Sequence, residues 1–221
     1  HRRGYTAEPF RKGRITRMFG KKASEIFYIN ERSRTASEEL AQVLKYCILQ
    51  THREFCEVVF LCIGSDRITG DSLGPLIGHR LTAYRGLGFY VYGTLDDPVH
   101  ALNLSDRQQM IRRRHPEGLV VAIDASLGSR RHQGYITVGC GPIRPGAGAG
   151  KNLPEVGDVF ITGIVNISGS FEQLLLQTTR LSTVFHMAEA ITQGILIGFQ
   201  TLGAAALTAA ALPADSTSSA G

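Results

Sequence analysis

Two uninterrupted apolar runs, Val58-Val59-Phe60-Leu61-Cys62-Ile63 and Leu119-Val120-Val121-Ala122-Ile123, set the strongest limit on what this chain can fold into. An apolar run of this length, with no polar alternation, reads as a strand covered on both faces, the habit of parallel sheets. The first run ends in Gly64 and the second stops at Asp124. Parallel neighbours need crossovers, and helical periodicity is available to supply them.

Ser37 begins a helix with Glu38 and Glu39 in its first turn and Leu40, Val43, Leu44, Cys47 and Ile48 on one face. A second helix opens near Pro75, since proline is tolerated in a first turn, and carries Leu76, Ile77 and Leu81. Phe89-Tyr90-Val91-Tyr92 predicts another strand, and a helix follows Pro98 as far as about His115. Tyr135 to Cys140 alternates and follows the Asp124 strand too closely for a crossover helix, so it predicts an antiparallel strand. Val159 to Val165 is the next strand, and one long amphipathic helix is expected from Phe171 to Ile197. The sum is a three-layer α/β fold, with a mainly parallel, mixed sheet and helices on both faces. Residues 1–35 read as a basic flexible arm, 36–200 as a single α/β domain and 201–221 as a low-complexity tail.

Charge supports that division. The chain carries 24 Lys and Arg against 19 Asp and Glu. Arg2, Arg3, Arg11, Lys12, Arg14, Arg17, Lys21 and Lys22 crowd the first stretch, opposed there by Glu8. Without that block the chain is slightly acidic, and stacking aromatics in the arm are sparse, so no nucleic-acid partner is expected. Cys47, Cys56, Cys62 and Cys140 form no CxxC pair and have no zinc-ligand spacing, and read as free thiols of a reducing compartment. No apolar leader core follows the early basic residues. The Ala-rich stretch from Ile191 to Leu212 is interrupted by Gln193, Gly194, Gln200 and Gly203, and reads as helix and tail instead of a membrane span.

Ligand sites of open parallel sheets lie beyond the C-terminal ends of the strands. Three loops qualify: Gly64–Asp71, Gly93–His100 and Asp124–Arg131. Asp71 stands at the mouth of the Pro75 helix, where it is either a helix cap or a functional carboxylate. Asp124 is delivered by the end of a buried strand. Two carboxylates within reach of each other repel, so one holds a proton while the other stays charged, the condition for general acid–base activation of water. The same pair would suit a divalent metal, with Asp97 or His100 as a third ligand. Asp66 beside Arg67 reads as a loop ion pair or a substrate contact. The run Pro145-Gly146-Ala147-Gly148-Ala149-Gly150, followed by Lys151 and Asn152, fits neither the P-loop nor the dinucleotide pattern and is expected to be a flap beside the crevice. Ser65, Ser72 and Ser126 lack a GxSxG elbow.

Ile63 to Leu76, Gly93 to Ala101 and Ile123-Asp124-Ala125 together resemble the YyaC family of spore proteases. That family is related to the germination protease of spore-forming bacteria and, more distantly, to the hydrogenase maturation endopeptidases. The resemblance runs from about Val58 to Gly194. Thr69 to Pro75 is similar to the Thr-Pro-Asp-Ala-Leu-Gly-Pro motif of the germination protease, with Gly70 in place of its proline. Ala122 to Ala125 is similar to its Ala-Ile-Asp-Ala, and the Pro145 to Asn152 stretch to its Pro-Gly-Ser-Gly-Val-Gly-Asn loop, with Lys151 inserted.

The resemblance implies a phosphorylase/hydrolase-like α/β fold with Asp71 and Asp124 as catalytic aspartates. Asp66, Asp97, His100, Gly146, Gly148 and Asn152 are the implied substrate contacts. It further implies an endopeptidase of the cytoplasm of the sporulating cell or forespore, acting on small acid-soluble spore proteins or another polypeptide, with a homo-oligomer admitted. The maturation endopeptidases hold a metal with an acidic residue, an aspartate and a histidine. Asp71 and Asp124 match the two acids and no third ligand is evident, so no cofactor is expected beyond a divalent metal at that pair.

Overall fold

The computed structural model describes residues 12–13, 25–52, 54–146 and 153–210. In chain order the elements are β1 (Lys12–Gly13), β2 (Ile26–Asn30), α1 (Ala36–Gln50), β3 (Glu57–Cys62), α2 (Leu73–Leu81), β4 (Phe89–Tyr92), α3 (Leu104–Arg114), β5 (Gly118–Gly128), β6 (Tyr135–Cys140), β7 (Val159–Ile167), α4 (Glu172–Gln177) and α5 (Leu181–Ala210). The sheet has the order β1-β2-β6-β7-β5-β3-β4. β4, β3, β5 and β7 run parallel, whereas β6 is antiparallel to both β7 and β2.

The two apolar runs lie at the centre of the sheet, and their pleat divides them between two cores. Val58, Phe60 and Cys62 of β3 pack on one face with α1, α2 and α5. Val59, Leu61 and Ile63 pack on the other with Leu104 and Ile111 of α3. β5 splits in the same way, with Leu119, Val121 and Ile123 on the first face and Ala122 on the second. Each such Leu, Ile or Phe contributes roughly 1.5–3 kcal/mol by leaving water. The result is three layers, with helices on both faces as the apolar runs predict.

Three elements differ from their sequence reading. Ile26–Asn30, inside the stretch expected to be an arm, is strand β2, paired antiparallel to β6. Phe27 and Ile29 are buried, and this short alternation depends on a partner more than a hundred residues away. β5 does not stop at Asp124 but continues to Gly128, because its pairing with β7 carries on past Ser126 through an irregularity at Ser126/Leu127. The expected helix from Phe171 to Ile197 is broken into α4 and α5. Thr178 Oγ1 donates to the Leu174 carbonyl (2.8 Å), and Thr179 Oγ1 donates to that of Leu175 (2.7 Å). Asn166 Nδ2, from the end of β7, also donates to the Leu175 carbonyl (2.9 Å). The Leu174 carbonyl keeps its helical bond from the Thr178 N–H (2.9 Å), whereas the Leu175 carbonyl is taken by the Thr179 hydroxyl and Asn166, so the helix does not continue past it. The basic block of the arm, apart from the two β1 positions, lies outside the described residues, as do residues 211–221 of the expected tail; α5 itself reaches Ala210.

At the N-terminal edge of the parallel strands, His115 joins three elements. It is buried, with Nδ1 2.8 Å from Glu57 Oε1 and Nε2 2.8 Å from the Tyr92 hydroxyl. Among the described residues no helix is long and apolar enough to cross a membrane.

Candidate functional site

The chain leaves β3 toward β4 on one side and leaves β5 toward β6 and β7 on the other. Neighbouring strands whose continuations part in this way leave a crevice beyond their C-terminal ends. Asp71 follows β3 and Asp124 belongs to β5, so the topology brings the two to the same place.

The loop holding Asp71 is tightly bound to the sheet. Ile63 N–H donates to the Ile123 carbonyl (2.7 Å), and Gly64 N–H donates to the Val99 carbonyl (2.8 Å). Ser65 N–H then donates to the carbonyl of Asp71 (3.0 Å), closing the loop on itself. Gly64 has φ +142°, and a Cβ there would stand 2.0 Å from the Asp71 oxygen, so only glycine fits. Asp71 lies within a short 3₁₀ turn, Thr69–Ser72, that leads into α2. Ser72, and not Asp71, takes the N-cap position of that helix. Its hydroxyl donates to the Thr69 carbonyl (2.7 Å).

Asp124 is 6% exposed and lies within β5. Its Oδ1 accepts a hydrogen bond from the N–H of Ala125 (2.9 Å). The strand partner of Asp124 is Thr162 on β7, and that of Thr162 is Thr137 on β6. The two threonine hydroxyls are 2.6 Å apart, and Ser126 Oγ donates to Thr162 Oγ1 (3.3 Å). Register partners share a face of the sheet, so these groups make one polar row ending at the carboxylate.

Asp71 and Asp124 both line a cleft of about 880 Å³. Its floor includes Ser126 and Thr162; Ile143, Arg144 and Gly146 form one wall, and α4 with the preceding Phe171 forms another. Phe171 and Leu174 are exposed there. Arg144 is ion-paired through Nε with Glu155 Oε1 (3.2 Å). α4 is seated against the Asp71 turn at Gly70, where a Cβ would meet the Leu176 carbonyl at 2.8 Å and Thr179 Oγ1 at 2.9 Å.

Of the sequence-derived candidates, Asp71, Asp124 and Gly146 line this cleft. Asp66, Asp97 and His100 are not among its lining. Asp66 is exposed on the outer part of its loop. Asp97 is salt-bridged to Arg107 of α3. His100 begins the turn into α3, its N–H donating to Asn103 Oδ1 (2.8 Å). Val99 bridges to Ile63, so β3 stands between this segment and Asp124. Gly148 and Asn152 lie outside the described residues. Thr137, Thr162, Arg144 and the α4 wall were not singled out from the sequence. A threonine inside a strand pattern carries no signal of its own, and only strand register sets Thr162 beside Asp124.

As a metal centre the pair is short of donors. Among the described residues no group of three or more His, Cys, Asp and Glu gathers where it could hold an ion. A catalytic zinc takes three protein ligands. What the described residues bring together in the cleft is two carboxylates beside the Ser126 and Thr162 hydroxyls.

A family model described as "Protein of unknown function (DUF1256)" matches residues 28–194. The chain is 42% identical over 174 residues to "Uncharacterized protein YyaC" of Bacillus subtilis (strain 168), an alignment covering 79% of this chain and 84% of that protein. The matched span begins within β2, ends within α5, and includes both cleft aspartates and the α4 wall. On these matches, the chain belongs to the DUF1256 family and is a relative of YyaC.

Proposed function

We propose that this protein is an endopeptidase of sporulating cells that cleaves small spore proteins with the carboxylate pair Asp71 and Asp124. The observation that carries the reading is that these two aspartates, 53 positions apart in the sequence, line one cleft at the switch point of the sheet. In this reading the ionised member of the pair takes a proton from a water held between them, and the water attacks the peptide carbonyl. The protonated member gives its proton to the departing amine, and the two then exchange roles for the next turnover. A polypeptide entering the cleft would lie along the exposed α4 wall, with Phe171 and Leu174 against its apolar side chains. The resemblance of the Thr69–Pro75 and Ala122–Ala125 motifs to those of the germination protease supports the substrate class and the sporulation setting.

The test is hydrolysis of purified small acid-soluble spore proteins by the full chain, compared with Asp71→Asn and Asp124→Asn. Loss of cleavage in both folded variants supports the pair as catalytic. Wild-type cleavage by either removes it. Absence of hydrolysis by the wild-type chain, with a retained protein partner in pull-downs, would instead favour a non-catalytic sporulation protein on the same scaffold. Activity abolished by a chelator and restored by a divalent metal would move the reaction to the metal-dependent class.

A further inference from the structure

A second chemical feature lies away from the aspartates. Cys47 in α1 and Cys140 at the end of β6 are 93 positions apart in the chain, yet their sulfurs are 2.8 Å apart. That is far closer than packing alone sets two thiols, and somewhat longer than the covalent S–S distance of about 2.05 Å. Cys47 is fully buried, whereas Cys140 is only half-buried and is the more exposed residue of the pair. The other two cysteines are placed differently: Cys62 is buried inside β3 and Cys56 is exposed beyond α1.

We propose that Cys47 and Cys140 form a thiol-oxidation site, at which a small disulfide such as oxidised glutathione converts the contact into an intramolecular disulfide tying α1 to β6. The Cys140 thiolate attacks one sulfur of the reagent, forming a mixed disulfide and releasing one glutathione thiolate. Cys47 then loses its proton to solvent and attacks the Cys140 sulfur, forming the Cys47–Cys140 bond and expelling the second glutathione thiolate. Two thiols of the protein are oxidised and one reagent disulfide is reduced to two thiols.

The surroundings set the character of the site. Burial pushes both thiols up, the hydrogen bond between them raises Cys47 further while lowering Cys140 in part, and the Glu25 carboxylate raises both. Glu25 is itself held by the Tyr46 hydroxyl (2.9 Å), and its carbonyl accepts from the Cys140 N–H (3.2 Å). Thiols held protonated attack slowly, so the link forms slowly; they also leave poorly, so it resists reduction. The chain after Cys140 reaches the cleft directly. Gly141 N–H donates to the Asp158 carbonyl (2.9 Å), Ile143 pairs with Val156, and Arg144 and Gly146 line the cleft. The cross-link anchors the root of that wall.

The experiment uses the full reduced chain, incubated folded with oxidised glutathione and mapped by mass spectrometry without reduction. The expected product is a linked peptide pair containing Cys47 and Cys140, with both of these among the cysteines lost to thiol titration after unfolding, whether or not the exposed Cys56 also carries glutathione. Cys140→Ser, at the half-buried position, abolishes the linked pair without emptying the core. Cys47→Ala converts Cys140 into a stable glutathione adduct. Hydrogen exchange of residues 141–146 slows on oxidation in the wild type and is unchanged in Cys140→Ser. A folded wild-type protein in which Cys140 accumulates as the glutathione adduct, or in which both thiols stay free while Cys56 is modified, overturns the proposal.

Discussion

Asp124 of β5 stands in register with Thr162 of β7, and Thr162 brings its hydroxyl to 2.6 Å from that of Thr137 on β6. A row of side-chain oxygens therefore crosses three adjacent strands and ends at a carboxylate that is 6% exposed. Two residues earlier on the same face of β5 and β7 are Ala122 and Phe160, which pack with α3. The face thus changes from hydrocarbon to polar within one pleat repeat, at the level where the cleft begins. A carboxyl group at such depth needs hydrogen-bonding company, and the Ala125 N–H is one donor to Asp124.

Replacing either cleft aspartate by asparagine tests the chemistry at nearly constant shape. Asp71→Asn and Asp124→Asn are expected to lower turnover of small spore proteins by at least about 10²-fold, the usual contribution of a positioned acid or base. Their melting curves by circular dichroism should stay close to wild type, since in Asp124→Asn the side-chain amide oxygen still accepts from the Ala125 N–H. Unchanged turnover in either variant would remove that residue from the chemistry.

The threonine pair makes a separate stability prediction. Thr162→Val leaves the buried Thr137 hydroxyl without its 2.6 Å partner, and should destabilise the fold by about 1–3 kcal/mol in urea unfolding. Thr137→Val should act similarly. Because both changes break the same bond, the double variant should lose less than the sum of the singles. Strict additivity would mean that the two hydroxyls do not interact.

Gly70 and Gly86 offer a matched comparison. Gly70→Ala pushes a methyl group against the Leu176 carbonyl at 2.8 Å, and is expected to cost about 1–3 kcal/mol by forcing α4 away from the Asp71 turn. Gly86→Ala meets nothing within 4 Å and should leave stability unchanged or raise it by up to about 1 kcal/mol. Thermal melts compare the two, and faster hydrogen exchange of α4 should accompany only the first. Equal effects at both positions would show that α4 is not seated on Gly70.

Alkaline pH should weaken the fold through Cys62. Burial raises this thiol above its ordinary value of 9.0, so it stays protonated in the folded chain at a pH where the unfolded chain has released the proton. Its contribution is fully present below that value and is lost as pH rises above it, by about 1.4 kcal/mol per pH unit. Urea unfolding at pH 8 and pH 10 should show a steeper decline for the wild type than for Cys62→Ala. Parallel declines would mean that the thiol is not protected from ionisation.

Much of the scaffold was legible in the order of residues. The runs at Val58–Ile63 and Leu119–Ile123 permit one environment, burial on both faces, and the structure divides each between two cores by alternate side chains. The helices at α1, α2 and α3 and the alternation of β6 were equally readable, because each depends on a periodicity of only a few residues. β2 and the extension of β5 to Gly128 were not, since both are held by pairing with strands remote in sequence. The break between α4 and α5 escaped for a related reason. Thr178 and Thr179 bond back locally, but Asn166 reaches α4 from the end of β7.

The same division runs through the cleft. Local order placed Asp71 after one buried strand and Asp124 at the apparent end of another, because glycine and aspartate interrupt apolar runs wherever they occur. It could not say that Asp124 continues inside a strand, that Thr162 and Thr137 extend its polar row, or that α4 forms the wall opposite Arg144. Nor could it bring Cys47 to Cys140. Hydrophobic periodicity acts between near neighbours and is written along the chain. Strand register and helix docking act between distant segments, and they exist only once the sheet has assembled.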